Sequence, residues 1–90
     1  MLNDYRNWLI NKGYAVTVNN RPSTVYDYVR ALKRVAAWES KSVEELAESI
    51  SEIVQQYTIG IHSVRGRLQS RSIKASVVSF KNFLIETQSA

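Results

Sequence analysis

Apolar residues along this 90-residue chain recur mostly three and four positions apart, the spacing that puts one face of an α-helix against a core. A first helix is expected over about residues 3 to 12, with Leu2, Tyr5, Trp8 and Leu9 on one stripe and Gly13 placed to end it. The segment "YAVTVNNRP" breaks the pattern. Its alternation from Ala15 to Val18 is compatible with a short strand, for which the sequence offers no obvious partner. Pro22 with Ser23 or Thr24 then opens the clearest helix, whose buried face is Val25, Tyr28, Val29, Leu32, Val35 and Ala36. Arg30, Lys33 and Arg34 form a strip on its other side.

"SVEE" at 42 to 45 has the form of a capping box, so a third helix is expected from Val43. Its stripe runs through Leu46, Ala47, Ile50, Ile53, Val54 and Tyr57, and the serines at 49 and 51 are positioned to split it into a short and a longer piece. After the loop "TIGIHSVRGRLQ", a last helix is expected from about Arg71 to Thr87, capped by Ser70 or Ser72. Ile73, Val77, Phe80 and Leu84 form its core face, with Phe83 alongside. The expected fold is all-α, a small orthogonal bundle of four to five helices in one domain over residues 1–90.

Composition narrows what such a bundle can do. A chain only slightly above about 80 residues has little volume for a deep pocket. There is no cysteine, which excludes disulfides and thiolate metal sites, and a single histidine argues against a metal centre. No apolar run approaches the ~20 residues of a membrane span, and the N-terminus has no signal-peptide core. A cytoplasmic, nucleoid-associated protein without metal or cofactor is expected.

The formal charge is +4, unevenly spread. Between Glu52 and Glu86 there is no acid, while Arg65, Arg67, Arg71, Lys74 and Lys81 fall in that interval. The acids gather at Glu44, Glu45, Glu48 and Glu52, a strip that is either simply solvated or turned to another domain or protomer. An asymmetry of this kind suits a polyanion binder. Arginine forks match phosphate oxygens, and the N-terminus of the last helix, near Ser70 and Ser72, offers free backbone donors; capping alone would explain those serines equally well.

Two stretches carry a family resemblance. One is Thr24-x3-Tyr28-x3-Leu32-x2-Val35-x2-Trp38, preceded by "YRNWLINKG"; the other is Ser72-Ile73-x3-Val77-x-Ser79-Phe80-x2-Phe83-Leu84. In order, from about Tyr5 to Glu86, they resemble the N-terminal core-binding domain of phage integrases and other tyrosine recombinases, a SAM-like helical domain. The connection "GIHSVRGRLQ" is longer than in many members. The resemblance implies a domain that grips duplex DNA through its second and last helices, while a C-terminal catalytic domain outside this chain cuts and rejoins strands through a tyrosine.

That resemblance sets the expected DNA contacts. Around the second helix they are Arg21, Ser23, Thr24, Asp27 and Arg30, with Thr24 on a phosphate and Asp27 facing a base edge. Asp27 has competing roles, as partner of Arg30 or as a favourable charge at the helix start. Thr24, Asp27 and Ala31 are expected on the side turned to the groove. Around the last helix the contacts are Arg65, Arg67, Ser70, Arg71, Ser72 and Lys74. His62 and Arg65 reproduce the His-x-x-Arg spacing of a strand-transfer site, but in the family that element belongs to the catalytic domain, and no tyrosine follows Tyr57. No residue here is expected to be catalytic. The expected partner is double-stranded DNA, with no membrane and no small-molecule substrate; the piece alone is expected to be monomeric and its parent to assemble on DNA. The alternative is a helical protein-interaction module, and an independent small enzyme has too few clustered titratable residues to support it.

Overall fold

The computed structural model describes residues 1–58 and 72–88. Five helices account for most of them: α1 Leu2–Asn11, α2 Thr24–Glu39, α3 Val43–Glu48, α4 Ile50–Thr58 and α5 Ser72–Gln88. The bundle is therefore all-helical in its core, as the spacing of apolar residues predicts. Between α1 and α2 lies a small antiparallel ribbon, β1 Thr17–Val18 and β2 Arg21–Pro22.

Several helix boundaries have a local cause. Gly13, at φ 93°, takes the left-handed conformation that ends α1, and Ser40 at φ 54° does the same for α2. The ribbon turns on Asn19 and Asn20, both at positive φ, as a two-residue hairpin turn requires. It is pinned to the start of α2 by Ser23 N–H donating to Val16 O (3.1 Å) and Val25 N–H donating to Ala15 O (3.0 Å). Ser23 occupies the cap position of α2, though its side chain makes no capping bond.

The capping box at α3 is complete. The Ser42 hydroxyl accepts from Glu45 N–H at 3.2 Å, and the Glu45 carboxylate accepts from Ser42 N–H at 3.0 Å. The Ser42 N–H first, and the Ser42 hydroxyl second, hold the Glu45 carboxyl below its ordinary value. A lowered folded-state value means that Glu45 contributes stability above its unfolded value and loses it as pH falls through the folded one. Ser42→Ala is expected to cost about 1 kcal/mol in urea denaturation, and Glu45→Gln, which removes the titrating group, is expected to flatten the acid limb of the stability profile. An acid limb identical to that of the parent chain would contradict this role. Ser49 divides α3 from α4, at the first of the two serines expected to split them.

α5 is the central element, packed mainly against α2 and α4, with α1 closing one side. Its buried residues are Ile73, Ser76, Val77, Ser79, Phe80, Phe83 and Leu84. The rings around α1 and α5 interlock: Tyr5 meets Phe80 edge-on at 5.3 Å, and Trp8 meets Phe83 edge-on at 5.8 Å. At the other end Trp38 stacks on Tyr57, whose hydroxyl donates to Glu39 at 3.0 Å.

A polar link also crosses the core. The Tyr5 hydroxyl donates to the Ser76 carbonyl (3.3 Å), and the Ser76 hydroxyl donates to the Tyr28 carbonyl (2.7 Å), tying α1, α5 and α2 together. Burial pushes the Tyr5 phenol up to about 12, with partial offset from the Ser79 and Ser76 hydroxyls beside it. A raised folded-state value makes Tyr5 stabilising below its unfolded value, and that contribution disappears as pH rises through the folded one. Stability is thus expected to fall between pH ~10 and ~12, and Tyr5→Phe to flatten this limb. Alkaline unfolding unchanged in Tyr5→Phe would show the phenol to be uninvolved.

Candidate nucleic-acid interface

α2 carries its charges on the face turned from the core. Tyr26, Arg30 and Lys33 follow one another at helical spacing and are exposed, Tyr26 to 50%. Across from them α1 presents Arg6, also exposed, and the ribbon presents Thr17. Together these residues rim an open groove of about 460 Å³ whose floor is Val16, Val25 and Val29. Among the described residues, Arg6, Arg30 and Lys33 take part in no ion pair. Three uncompensated cations around an apolar floor, with a tyrosine at the rim, form a positive concavity with one ring available for stacking.

Opposite charge lies on the other flank of α1. Asp4 is two residues from Arg6 and so ~160° around the helix. With Glu44 it approaches the N-terminal amine, each at 3.8 Å. Glu44, Glu45, Glu48 and Glu52 are all exposed. On α1 the charges therefore face opposite ways, Arg6 toward the groove and Asp4 toward the N-terminal amine and Glu44.

The expected contact residues separate into distinct groups. Ser23 and Thr24 are half-buried at the start of α2, and Asp27 is exposed. No ion pair joins Asp27 to Arg30 among the described residues, which leaves the carboxylate exposed at the edge of the cationic face. Ala31 does not share that exposure. At 4% it belongs to the core, since the buried arc of α2 is wide enough to take it in, which corrects its expected place beside Thr24 and Asp27 on a groove-facing side. Lys74 is exposed on α5, as expected, but it lines a different groove, with Tyr14 and Tyr28. Arg30 and Tyr28 are two residues apart and so ~160° apart on α2, so the helix stands between the two grooves. Arg65, Arg67, Ser70 and Arg71, together with His62, lie outside the described residues, as do the side chains of Arg21 and Ser72.

Two cations of the α1–α2 groove fall outside the expected set. Lys33 was visible in sequence as a member of the Arg30, Lys33, Arg34 strip. Arg6 gave no such signal, because only the packing of α1 beside the start of α2 brings it to Arg30. Tyr26 was legible only as a position left out of the apolar stripe.

Searches against family models, curated proteins and solved structures return no match. Function must therefore be inferred from the surface itself. Among the described residues no group of three or more histidines, cysteines, aspartates or glutamates is arranged to hold a metal ion. No described helix is long and apolar enough to cross a membrane.

Proposed function

We propose that this chain is a DNA-binding domain of the core-binding type, related to those of phage integrases and tyrosine recombinases, and that it has no catalytic activity of its own. The observation that carries the proposal is the cation-rimmed groove of Arg6, Arg30 and Lys33. Exposed arginine and lysine with no acidic partner among the described residues are the groups that gain by replacing counterions on a phosphate backbone. Lys74 adds a cation on the opposite flank of α2. A helix with positive charge on both sides fits a major groove about 12 Å wide, where a phosphate strand runs along each edge. Asp27, exposed and unpaired with Arg30, is available to accept from a cytosine amino group. The family assignment rests on the order of helices and on the two sequence stretches that resemble core-binding domains.

Fluorescence anisotropy of a labelled mixed-sequence duplex tests the reading. Binding is expected at low ionic strength and should weaken linearly in a plot of log affinity against log salt. No binding at the lowest salt tested would refute it in favour of a protein-interaction module.

A further inference from the structure

A second groove, of about 700 Å³, opens on the flank of α1 that carries Asp4, between α1, the start of α3 and the C-terminal part of α5. Its floor is apolar: Phe83 and Leu84, each 5% exposed, with the half-buried Trp8 beside them. Asp4, Asn7 and Glu44 stand at its rim, all exposed. Among the described residues the one ionic partner of the two carboxylates is the N-terminal amine, 3.8 Å from each, close to the ~4 Å outer limit of an ion pair. Both side chains stay largely in water, Asp4 at 77% and Glu44 at 63% exposure. An apolar floor under an acidic rim repels phosphates and suits a segment that carries an apolar side chain together with cations.

The chain itself carries such a segment. On α2, Tyr26, Arg30 and Lys33 follow one another four and three residues apart and form one outward ridge. Tyr26 leaves half of its surface in water, and Arg30 and Lys33 are in no ion pair among the described residues. Tyrosine beside arginine is the composition enriched at the energetic centre of protein interfaces. Ridge and groove cannot meet within one molecule, because Arg6 and Asp4 point ~160° apart on α1 and set the two surfaces on its opposite flanks. We propose that the α2 ridge of one copy docks in the acidic groove of a second copy, with Tyr26 over the Trp8–Phe83 floor and with Arg30 and Lys33 against Asp4 and Glu44. Since the two surfaces face opposite ways, the contact is head-to-tail and does not close, so copies add one to the next. One ridge in one groove belongs to the small, transient class of interface. This departs from the expectation of a monomer, and it gives the acidic strip, through Glu44, the role of meeting another protomer. It does not rest on the duplex reading. Where that reading holds, a ridge seated in a neighbour's groove cannot also hold DNA, so self-association covers the DNA-binding face until duplex displaces it.

Sedimentation equilibrium of the full chain at low salt, from micromolar to millimolar concentration, tests this without DNA. The apparent mass of the parent chain is expected to rise steadily, to pass that of a dimer without a plateau, and to fall back as salt is raised. Asp4→Lys/Glu44→Lys and Arg30→Glu/Lys33→Glu, all at exposed side chains, should each stay monomeric alone. Their equimolar mixture should regain the association of the parent, because every ridge then meets a groove of opposite charge; a misfolded variant could not produce that rescue. Tyr26→Ala should weaken association roughly tenfold, the ordinary effect of truncating a central interface aromatic. Glu48→Lys, away from the groove, should leave it unchanged. A parent chain that is monomeric over the whole range would overturn the proposal. So would a plateau at the dimer mass, which marks a closed interface, or a mixture of the two charge-reversed variants that stays monomeric. In a second arm, a saturating short duplex should dissolve the association; copies that stay associated on the bound duplex would refute the ridge as the occupant. The first arm contains no DNA, so its failure is distinct from failure of the duplex reading.

Discussion

Phe80→Ala is expected to remove about 3–5 kcal/mol of the domain's stability. Phe80 is wholly buried in α5, edge-on to Tyr5 at 5.3 Å and stacked near Phe83 at 5.9 Å. Removing such a ring typically costs about 3–5 kcal/mol, because the cavity left behind collapses only in part. A 90-residue chain has a total stability of about 5–13 kcal/mol at ordinary values per residue. The loss is thus a large fraction of the whole. It should also spread, since Tyr5 carries the polar link to Ser76 and Tyr28 and rests on the same ring. Urea denaturation followed by circular dichroism measures it, and Phe80→Leu provides a milder comparison. A loss below about 1 kcal/mol would mean that the ring cluster is not the centre of the core.

The second large effect concerns binding. Replacing Arg6, Arg30 and Lys33 together by glutamate is expected to reduce duplex affinity about a hundredfold or more near 0.1 M salt. This follows from about 1 kcal/mol for each exposed, charge-assisted hydrogen bond to phosphate that the substitutions remove, plus repulsion from the introduced carboxylates. Folding should be unaffected, since all three side chains are exposed and none is in an ion pair among the described residues. Glu48→Lys, on the acidic surface, is the matched control and should leave the affinity nearly unchanged. If glutamate at all three positions left duplex binding intact, DNA would have to be held elsewhere.

Much of the fold could be read from local chemistry. The apolar stripes of α2 and α5, the capping box at Ser42 and Glu45, and the break at Ser49 are properties of short sequence windows, and each is found where it was expected. The ribbon was harder because its second strand is two residues long and includes Pro22, which lacks a donor and leaves no alternating pattern. The usable signal was the Asn19–Asn20 pair, both residues being suited to the left-handed conformation of a tight hairpin turn. Ala31 misled for a different reason. Alanine is compatible with either surface, and its burial follows from how broadly α2 is covered by its neighbours.

The candidate site was legible in its charges but not in its grouping. Arg30 and Lys74 were both identified from sequence, yet they line grooves on opposite sides of α2. Which residues meet depends on the crossing of α1, α2 and α5, and no periodicity encodes that. The same holds for Arg6, which joins Arg30 only through tertiary packing.

The central claim, that the α1–α2 groove neutralises DNA phosphates, is tested most directly by the salt dependence of duplex binding. Affinity should be measured from low to moderate sodium chloride for the parent chain and for Arg6→Gln/Arg30→Gln/Lys33→Gln. Each neutralised phosphate contributes about 0.9 to the slope of log affinity against log salt on B-DNA. A slope shallower by roughly 2.7 in the triple variant is the expected result. Equal slopes for the two proteins would contradict the claim.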